Sequence, residues 1–431
     1  MWQILPLGPT GHGNSPYTAV SSFAGNTLLI ALDLLEEQGF LPAGASQYHP
    51  EFPEGHVDYD AVIPWKEELL RSAAENFLSH ADASDTKVRP NGAEFAEFCR
   101  TESFWLDDYA LFTAAKRHFD EQAAQEGVGN SLWNSYWPKE LAHRQEHGLE
   151  KWAEHFHGEI HREKVLQYLF HRQWLELKAY ANGKGISIFG DIPIFVAFDS
   201  ADVWSRPELF LLDEELKPEA VSGVPPDYFS STGQRWGNPL YDWDRHREEQ
   251  FSWWISRLEK SFDLVDMLRI DHFRGFQAYW EIPAEAKTAK KGKWVEAPGR
   301  EFFRTVRERL DELPVVAENL GVITPEVEEL RREFDLPGML VLHFAFEPDG
   351  KGGLNKDNPF LPHNHTRDAV AYTGTHDNNT SLGWYRMLGG EEKDLVRRYL
   401  GRPDDAVVWE LIREVYRSVA RYAVVPLQDA L

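Results

Sequence analysis

Short apolar segments alternate with amphipathic stretches along most of the chain, and this alternation limits the folds that the chain can adopt. We expect strands at 2–7, 185–189, 264–271, 313–317, 339–346, 370–373 and 423–427. Amphipathic patterns predict helices at 245–260, 300–312, 325–334 and within 382–419. Strands that alternate with helices pair in parallel, and seven strands at this spacing favour a (β/α)8 TIM barrel, an α/β fold, over an open sheet.

The first two strands are separated by far more helix than one crossover needs. Helical patterns occupy 63–80, 93–100, 105–119 and 150–181. A single βα connection requires one helix, so the excess predicts an inserted, mostly helical subdomain. We place the subdomain at 41–149 and the catalytic barrel at 1–40 and 150–431.

The charge and cysteine content restrict the partners and the compartment. A formal net charge of -25 argues against nucleic acid and against anionic membranes, so the substrate is expected to be neutral or cationic. No segment approaches the run of about 20 apolar residues that spans a bilayer, and the N-terminus lacks a basic segment and a cleavage site. The single cysteine, Cys99, excludes an intrachain disulfide and fits a reducing, cytoplasmic setting. No oligomeric state follows from these features.

The stretch SFDLVDMLRIDHFRGF combines an apolar run with charged residues at its end. The apolar run is typical of a buried parallel strand that stops at Asp271. Arg269 lies two residues earlier, on the same strand face, because side chains alternate with period two. A carboxylate at the C-terminal end of a barrel strand is placed for catalysis, but a structural Arg–Asp pair explains this stretch equally well.

Two more acids follow later strands. Glu318 ends the apolar segment in VVAENLG, and Asp377 follows another in AYTGTHDNN. The loops after barrel strands meet at one mouth, so the three acids are expected to converge there. Any one of these acids, taken alone, could be part of an ion pair at the barrel rim. Three acids at strand ends indicate a catalytic set.

Three carboxyl groups at one mouth match the needs of glycosidic bond cleavage with retention. This chemistry requires a nucleophilic carboxylate and a second carboxyl group that first donates and then accepts a proton. Arg269 favours the ionised form of Asp271, a nucleophile, while apolar surroundings favour a raised pKa for Glu318, an acid. Asp377, beside His376, would then stabilise positive charge on the sugar ring.

Five long motifs resemble the amylomaltase or 4-α-glucanotransferase family of disproportionating enzymes, within the α-amylase superfamily. They are LRIDHFRGF, VAENLG, GDIPIFV, SGVPPDYFSSTGQRWGNPLY and YTGTHDNNT. The resemblance implies that Asp271 is the nucleophile, Glu318 the acid/base and Asp377 the transition-state stabiliser. It also implies supporting contacts to sugar or carboxylate from Arg269, His272, His376 and Asp191. Relative to the family, the chain is expected to lack the first βα unit and the last helix.

A long Pro, Gly and aromatic loop is expected at 221–243, where Tyr228 and Phe229 follow two prolines. In the resembling family this loop lies over the cleft, where it would exclude water and hold an acceptor glucan. Ordinary loop packing is the alternative. The remaining candidate sugar contacts are Ser230, Gln234, Trp236 and Asn238 in this loop, Tyr17 and Ser15 in NSPY, and Phe344.

The sequence thus predicts a retaining enzyme that transfers α-1,4-glucan segments between maltooligosaccharides or starch-like glucans, with a glucan donor and a glucan acceptor as its partners. The histidines His157 and His161 in HGEIH lie one helical turn apart, but the glutamate is misplaced for a metalloprotease motif and no third ligand is evident, so no metal or cofactor is expected. The alternatives are an α-amylase-like hydrolase that uses the same acids and an inactive, truncated glucan-binding protein.

Overall fold

The computed structural model describes residues 1–80, 92–226, 230–401 and 406–431. The chain divides into two compact units: Met1–Asp266 with Ala278–Ala297, and Met267–Gln277 with Pro298–Leu431. The strands are β1 (Trp2–Gln3), β2 (Ile188–Pro193), β3 (Ala220–Val224), β4 (Gln234–Pro239), β5 (Met267–Asp271), β6 (Ala278–Pro283), β7 (Lys293–Glu296), β8 (Val315–Ala317), β9 (Gly338–Val341), β10 (Ala369–Tyr372) and β11 (Tyr422–Val424).

Helices cover much of the remaining described chain. They are α1 (Leu32–Glu37), α2 (Tyr59–His80), α3 (Gly92–Thr101), α4 (Ser103–Glu126), α5 (Trp133–Tyr136), α6 (Lys139–Ala142), α7 (Glu146–His155), α8 (His157–Gly183), α9 (Ala201–Ser205), α10 (Trp243–Glu248), α11 (Ser252–Leu264), α12 (Gly299–Arg309), α13 (Pro325–Glu333), α14 (Ser381–Met387), α15 (Gly390–Leu400), α16 (Val407–Arg417) and α17 (Leu427–Ala430). In the part of the chain that the structure describes, none of them is both long and apolar enough to cross a bilayer.

The first unit contains a parallel strand pair and an antiparallel sheet. Strand β1 pairs in parallel with β2, whose residues Ile188 and Phe189 are fully buried. The antiparallel sheet has the order β4-β3-β6-β7. Helices α1 to α11 make up most of the rest of this unit, and the described residues between 41 and 149 form helices, 3-10 turns and loops.

The second unit is built on parallel strands that lie side by side in chain order. Strand β5 pairs with β8, and β9, β10 and β11 pair in turn. The Ala317 N–H, at the end of β8, donates to the carbonyl of Pro337, just before β9, at 2.8 Å. Helices between the strands bury their apolar faces: Phe302 of α12 stacks on Phe276 with ring centroids 4.8 Å apart. The α/β prediction, with parallel strands and alternating helices, is therefore confirmed.

Several predicted boundaries are wrong for identifiable reasons. The predicted helix at 245–260 is two helices, because Gln250 and Phe251 adopt left-handed backbone conformations that end α10 and precede α11. The predicted helix at 150–181 is likewise interrupted at Phe156, between α7 and α8. Apolar spacing continues across both breaks, so periodicity alone joins the helices.

The strand predictions err at their ends. The apolar run at 2–7 predicts a buried strand of six residues, but strand β1 has two residues and Trp2 is 46% exposed. Strand β9 ends at Val341 and continues as a 3-10 turn over Leu342–Phe344. Strand β11 ends at Val424, and Leu427 begins α17. The expected loop at 221–243 contains β3 and β4, which pair antiparallel.

Candidate active site

Asp271 and Glu318 lie next to each other at the ends of adjacent parallel strands in the second unit. Ile270 of β5 is paired with Ala317 of β8, so the next residues in register are Asp271 and Glu318. The Glu318 N–H donates to the Ile270 carbonyl at 3.1 Å and holds this register where the strands end. Neighbouring strands are about 4.8 Å apart, so both carboxyl groups leave the carboxyl edge of the sheet as neighbours.

Asp271 is part of an ion pair. Arg269 Nη2 lies 2.7 Å from Asp271 Oδ1, and Arg269 is only 2% exposed. Arg269 Nε also approaches the Met339 sulfur of β9 at 3.4 Å, which fixes the guanidinium across the strands. Asp271 itself keeps about a third of its side chain exposed to solvent. A paired yet accessible carboxylate is suited to bond formation at an electrophilic carbon.

Glu318 has the opposite environment. It is 8% exposed, and its two oxygens accept hydrogen bonds from the backbone N–H groups of His272, at 2.8 Å, and Leu320, at 2.7 Å. Burial, followed by the negative charge of Asp271, raises the pKa of Glu318 to about 7, against the opposing effects of Arg269 and the two N–H donors. A substantial fraction of Glu318 is therefore protonated near neutral pH.

His272 connects these two environments. Its backbone lies in the left-handed region, with φ of 52°, and this turn directs its N–H at Glu318. Burial lowers the pKa of the His272 imidazole to about 4, so the ring is neutral near pH 7. A neutral ring beside two acids adds no charge that would counteract the raised pKa of Glu318.

Asp377 and His376 occupy the loop that follows β10. His376 Nε2 lies 3.3 Å from Asp377 Oδ2, and the Asp377 side chain is 72% exposed. Burial lowers the pKa of His376, and the charges of Asp377, Arg269 and Asp271 also act on it. Asp377 is therefore the most exposed of the three acids.

Three predicted residues of the first unit form a connected group. The Tyr17 hydroxyl donates to Asp191 Oδ2 at 2.8 Å, and Asp191 lies on β2 with only 4% exposure. The Ser15 hydroxyl accepts a hydrogen bond from the Tyr17 N–H at 3.2 Å and caps the turn that begins at Pro16. The link between Tyr17 and Asp191 fixes the tyrosine ring relative to the end of β2.

The predicted residues of strand β4 make separate contacts. The indole N–H of Trp236 donates to Gln234 Oε1 at 3.1 Å, and Trp236 is 40% exposed. The Asn238 amide donates to the Val196 carbonyl at 2.9 Å, which is a structural contact within the same unit. Ser230 precedes β4, and its hydroxyl donates to the Gly233 carbonyl at 2.8 Å. Tyr228 and Phe229 lie outside the described residues.

Phe344 is half-buried and packs edge to face on Phe360, with ring centroids 5.6 Å apart. Its carbonyl accepts from the Asn358 amide at 2.8 Å. Phe344, which lies in the 3-10 turn that follows β9, therefore has an aromatic neighbour on one side of its ring.

Two features of the site were missed from the sequence. The backbone donors at His272 and Leu320 have no side-chain signature, and only the strand register predicts where they point. Asn319 was inside a quoted motif but was given no role: its Oδ1 accepts from the Met339 N–H at 2.8 Å and its amide donates to Glu328 at 2.7 Å. Asn319 thereby fixes the turn that carries Glu318.

The fold and this arrangement of carboxyl groups define the class of protein to which the chain belongs. An α/β protein with one paired carboxylate and one buried, partly protonated carboxyl group at adjacent strand ends has the functional groups of an enzyme that acts on glycosidic bonds. Among the residues that the structure describes, no group of three or more His, Cys, Asp or Glu side chains is arranged to hold a metal ion.

Comparison with known proteins identifies the family. The family model described as 4-alpha-glucanotransferase matches residues 1–431. The chain is 50% identical to the 4-alpha-glucanotransferase of Thermus thermophilus and 48% identical to that of Synechocystis, in each case over all of this chain and 82% of the relative. The chain belongs to the 4-alpha-glucanotransferase family and is an enzyme of the glycosyltransferase type that acts in starch and maltose metabolism.

A solved structure gives the same result for the fold. The amylomaltase from Streptococcus agalactiae, determined in complex with acarbose, superposes with a TM-score of 0.90 at 39% identity. The match covers 99% of this chain and 82% of that one. The resemblance stated from the sequence motifs is therefore confirmed at the level of family and fold.

Proposed function

We propose that the enzyme transfers α-1,4-glucan segments between maltooligosaccharides or starch-like glucans by double displacement, with Asp271 as nucleophile and Glu318 as acid/base. The observation that carries this proposal is the contrast between two neighbouring carboxyl groups: Asp271 is paired with Arg269, and Glu318 is buried with a pKa of about 7. Register-paired strand ends, about 4.8 Å apart, suit the carboxyl separation of roughly 5 to 5.5 Å of retaining enzymes.

In the first step, Asp271 attacks the anomeric carbon of the donor and forms a glycosyl ester. Glu318 gives its proton to the departing glycosidic oxygen, which leaves as a free sugar hydroxyl. In the second step, Glu318 accepts the proton of an acceptor hydroxyl while that oxygen attacks the anomeric carbon and releases Asp271. A carboxyl group with a pKa near the working pH serves both directions of this proton transfer.

Asp377 would stabilise the positive charge that develops on the donor ring in both steps. This role requires a fixed negative charge and no proton transfer. Exposure of Asp377 is compatible with the role, because a bound sugar would replace the water around it. We propose His376, His272, Arg269 and Phe344 as further contacts to the sugar or to the acids.

The sugar contacts assigned to the first unit are also part of the proposal. Tyr17, with Ser15 and Asp191, would hold a donor sugar, which the hydrogen bond from Tyr17 to Asp191 supports by orienting the ring. Ser230, Gln234, Trp236 and Asn238 would bind glucan together with Tyr228 and Phe229. The Asn238 amide donates to the Val196 carbonyl, which fixes the orientation of this side chain.

We further propose a (β/α)8 barrel over 1–40 and 150–431 with an inserted helical subdomain at 41–149. Within the second unit, β5 and β8 are neighbours in one sheet and β9, β10 and β11 are neighbours in another, and this sequential order supports the barrel, since a barrel places consecutive strands side by side. The helices of the described residues between 41 and 149 support the insertion.

Incubation with maltotriose tests the reaction directly. Transfer yields glucose together with maltopentaose and longer glucans, whereas an α-amylase-like hydrolase yields maltose and glucose alone. Asp271→Asn should abolish the ladder, and Asp311→Asn, at an exposed position outside the site, should leave it unchanged. A ladder that persists in Asp271→Asn, with the same products and rate, would refute the assignment of the nucleophile.

A further inference from the structure

One carboxylate in the second unit holds both ends of the loop that carries Asp377. Asp429 lies on α17 and is 8% exposed. At the start of the loop, the Thr373 hydroxyl donates to Asp429 Oδ2 at 3.0 Å. At the end of the loop, the Ser381 N–H donates to Asp429 Oδ1 at 2.7 Å and the Ser381 hydroxyl donates to Oδ2 at 2.6 Å. The loop is thus closed through a side chain that is distant in sequence.

A buried histidine extends this network beneath the loop. His343 Nε2 lies 2.9 Å from the Ser381 hydroxyl oxygen. Since that hydroxyl donates its proton to Asp429, His343 must donate from Nε2, so its imidazole is the neutral Nε2-protonated tautomer. The ring stacks on Trp384 with centroids 4.5 Å apart. It also lies directly under Gly374, where an added Cβ would be 2.6 Å from His343 Cε1.

Inside the loop, Asp377 is held by local contacts. Its N–H donates to the Thr375 hydroxyl at 3.3 Å and its carboxylate faces His376. Asn378 Oδ1 accepts from the Thr375 N–H at 2.8 Å and completes a small turn. Such a turn fixes the internal shape of the loop but not its position on the strands, which depends on the two anchored ends.

We propose that Asp429 is a positioning residue for the reaction: by joining Thr373 to Ser381 it sets where Asp377 and His376 lie. This inference rests on the proposed function, because it assumes that Asp377 stabilises the transition state. A misplacement of a charged group by about 1 Å can cost on the order of 100-fold in rate, so the anchoring of a loop is a catalytic requirement.

The negative charge of Asp429 is necessary for the arrangement. Two hydroxyl groups and one N–H donate to it, and a carboxylate has enough acceptor sites for all three. An asparagine would supply one oxygen only, and its amide hydrogens would meet the Ser381 hydroxyl. That hydroxyl would then turn to His343 Nε2, and the imidazole proton would move to Nδ1, a buried atom with no hydrogen-bond partner among the described residues.

The test is the kinetics of maltotriose disproportionation by Asp429→Asn. We expect kcat to fall by about 10- to 100-fold, with KM changed by less than about 3-fold, because the interaction that is lost acts mainly in the transition state. Glu410→Gln is the matched control: Glu410 is a buried carboxylate of the same unit, on α16, paired with Arg413. It should retain the kcat of the parent enzyme. A kcat for Asp429→Asn within about 2-fold of the parent would overturn the inference.

A double-mutant cycle with Asp377→Asn separates positioning from general destabilisation. If Asp429 acts through Asp377, then Asp377→Asn/Asp429→Asn will be no more than about 3-fold slower than Asp377→Asn alone. If the losses in kcat of the two single variants multiply in the double variant, the inference is overturned and the proposed function is left intact. An Asp377→Asn variant with the parent kcat would refute both the role of Asp377 and the inference, so the two failures are distinguishable.

Ser381→Ala is a second variant for the case in which Asp429→Asn does not fold. It removes one anchor and keeps the N–H bond from residue 381 to Asp429. We expect kcat to fall by about 3- to 10-fold, again without a further loss in the Asp377→Asn background. A normal kcat for Ser381→Ala, or an equal loss in the Asp377→Asn background, would overturn the inference.

Discussion

Burial and a neighbouring negative charge keep Glu318 protonated at a pH where an exposed glutamate has lost its proton. The same strand ends give Asp271 a guanidinium partner, so two carboxyl groups adjacent in register have different surroundings. This difference comes from neighbours and not from the side chains themselves. It follows that single changes around the pair should move the pH dependence of the enzyme in predictable directions.

The pH dependence of stability should differ between the parent enzyme and Glu318→Gln. The pKa of Glu318 is about 7 in the folded chain and has its ordinary value of 4.5 when unfolded, so the folded chain binds the extra proton between these values. Its contribution to the free energy of unfolding is therefore favourable at low pH and is lost as pH rises through 7. From pH 5 to 8 the loss is about 3 kcal/mol at most, or about 3 °C in Tm.

Calorimetry at the two pH values checks this expectation. The Tm of Glu318→Gln relative to the parent should rise by about 3 °C between pH 5 and pH 8. The exposed control Glu312→Gln should follow the parent at both pH values. Parallel pH dependence of Glu318→Gln and the parent would contradict a raised pKa at Glu318.

Replacement of Arg269 should shift the alkaline limb of the rate profile. The positive charge of Arg269 lowers the pKa of Glu318, so its removal in Arg269→Met should raise that pKa. The alkaline limb of kcat/KM, which reports loss of the acid's proton, should then move to higher pH while the rate falls by about 100-fold or more. A limb that stays at the parent pH would show that a different group acts as the acid.

The neighbouring positions of Asp271 and Glu318 could be predicted from the sequence because each ends an apolar strand and strand ends meet at one edge of a sheet. The backbone N–H groups that donate to Glu318 could not be predicted from the sequence, because such groups occur at every residue except proline. Their direction depends on the left-handed turn at His272 and on the pairing of β5 with β8. The anchor at Asp429 was also missed, since Asp429 lies 48 residues from Ser381 in sequence.

At the scale of elements, the loop after β10 is as constrained as the strand before it. Gly374 illustrates this constraint: a Cβ added there would meet the His343 ring, which is fixed by the stack on Trp384 and by the bond to Ser381. A side chain at residue 374 would have to displace either the ring or the loop. The position of His376 and Asp377 therefore depends on the absence of a Cβ at residue 374.

Gly374→Ala should lower both stability and activity. The new Cβ would lie 2.6 Å from His343 Cε1, so we expect a loss of about 1–3 kcal/mol in unfolding free energy and a fall in kcat of about 10-fold or more. Thermal unfolding and maltotriose kinetics measure these effects. Gly390→Ala is the control, because an added Cβ there meets no atom within 4 Å. Equal behaviour of the two variants would contradict the close approach at Gly374.

Element types were predicted better than element ends. Strands β5, β8 and β10 are short apolar runs bounded by polar residues, and these were correctly placed. The break between α10 and α11 occurs at Gln250 and Phe251, where no glycine or proline marks a left-handed turn. The antiparallel pair of β6 and β7 was missed, because its sequence lacks a short turn signal between the strands.

At the scale of the whole molecule, buried histidines oppose the pH dependence of Glu318. Burial lowers the pKa values of four histidines to about 4, and these are His171, His246, His272 and His343. The unfolded chain takes up protons at these positions as pH falls below 6.5, while the folded chain does not until about pH 4. Each of these histidines therefore lowers stability as pH falls from 6.5 to 4, whereas Glu318 and Asp202, whose pKa burial raises to about 6, act in the opposite direction.

In His246→Leu the unfolded chain takes up one proton fewer as pH falls, so the stability of this variant should depend less on acidification than that of the parent enzyme. His246 is 1% exposed and packs edge to face on Tyr241 at 5.1 Å, so the variant loses packing at every pH but loses less on acidification. Between pH 6.5 and 4.5 the Tm of the parent should fall further than that of His246→Leu. The exposed control His147→Leu should fall as much as the parent. Identical acid dependence of all three proteins would contradict a buried, neutral His246.

The division of roles between Asp271 and Glu318 is tested most directly by trapping the glycosyl-enzyme. An α-glucosyl fluoride needs no acid to release its leaving group, so Glu318→Gln should form the intermediate and then hydrolyse or transfer it slowly for want of a base. Mass spectrometry should find one glucosyl residue on the peptide that contains Asp271, and none in Asp271→Asn/Glu318→Gln. Release of fluoride with the glucosyl residue on another peptide, or with none attached, would contradict the proposed mechanism.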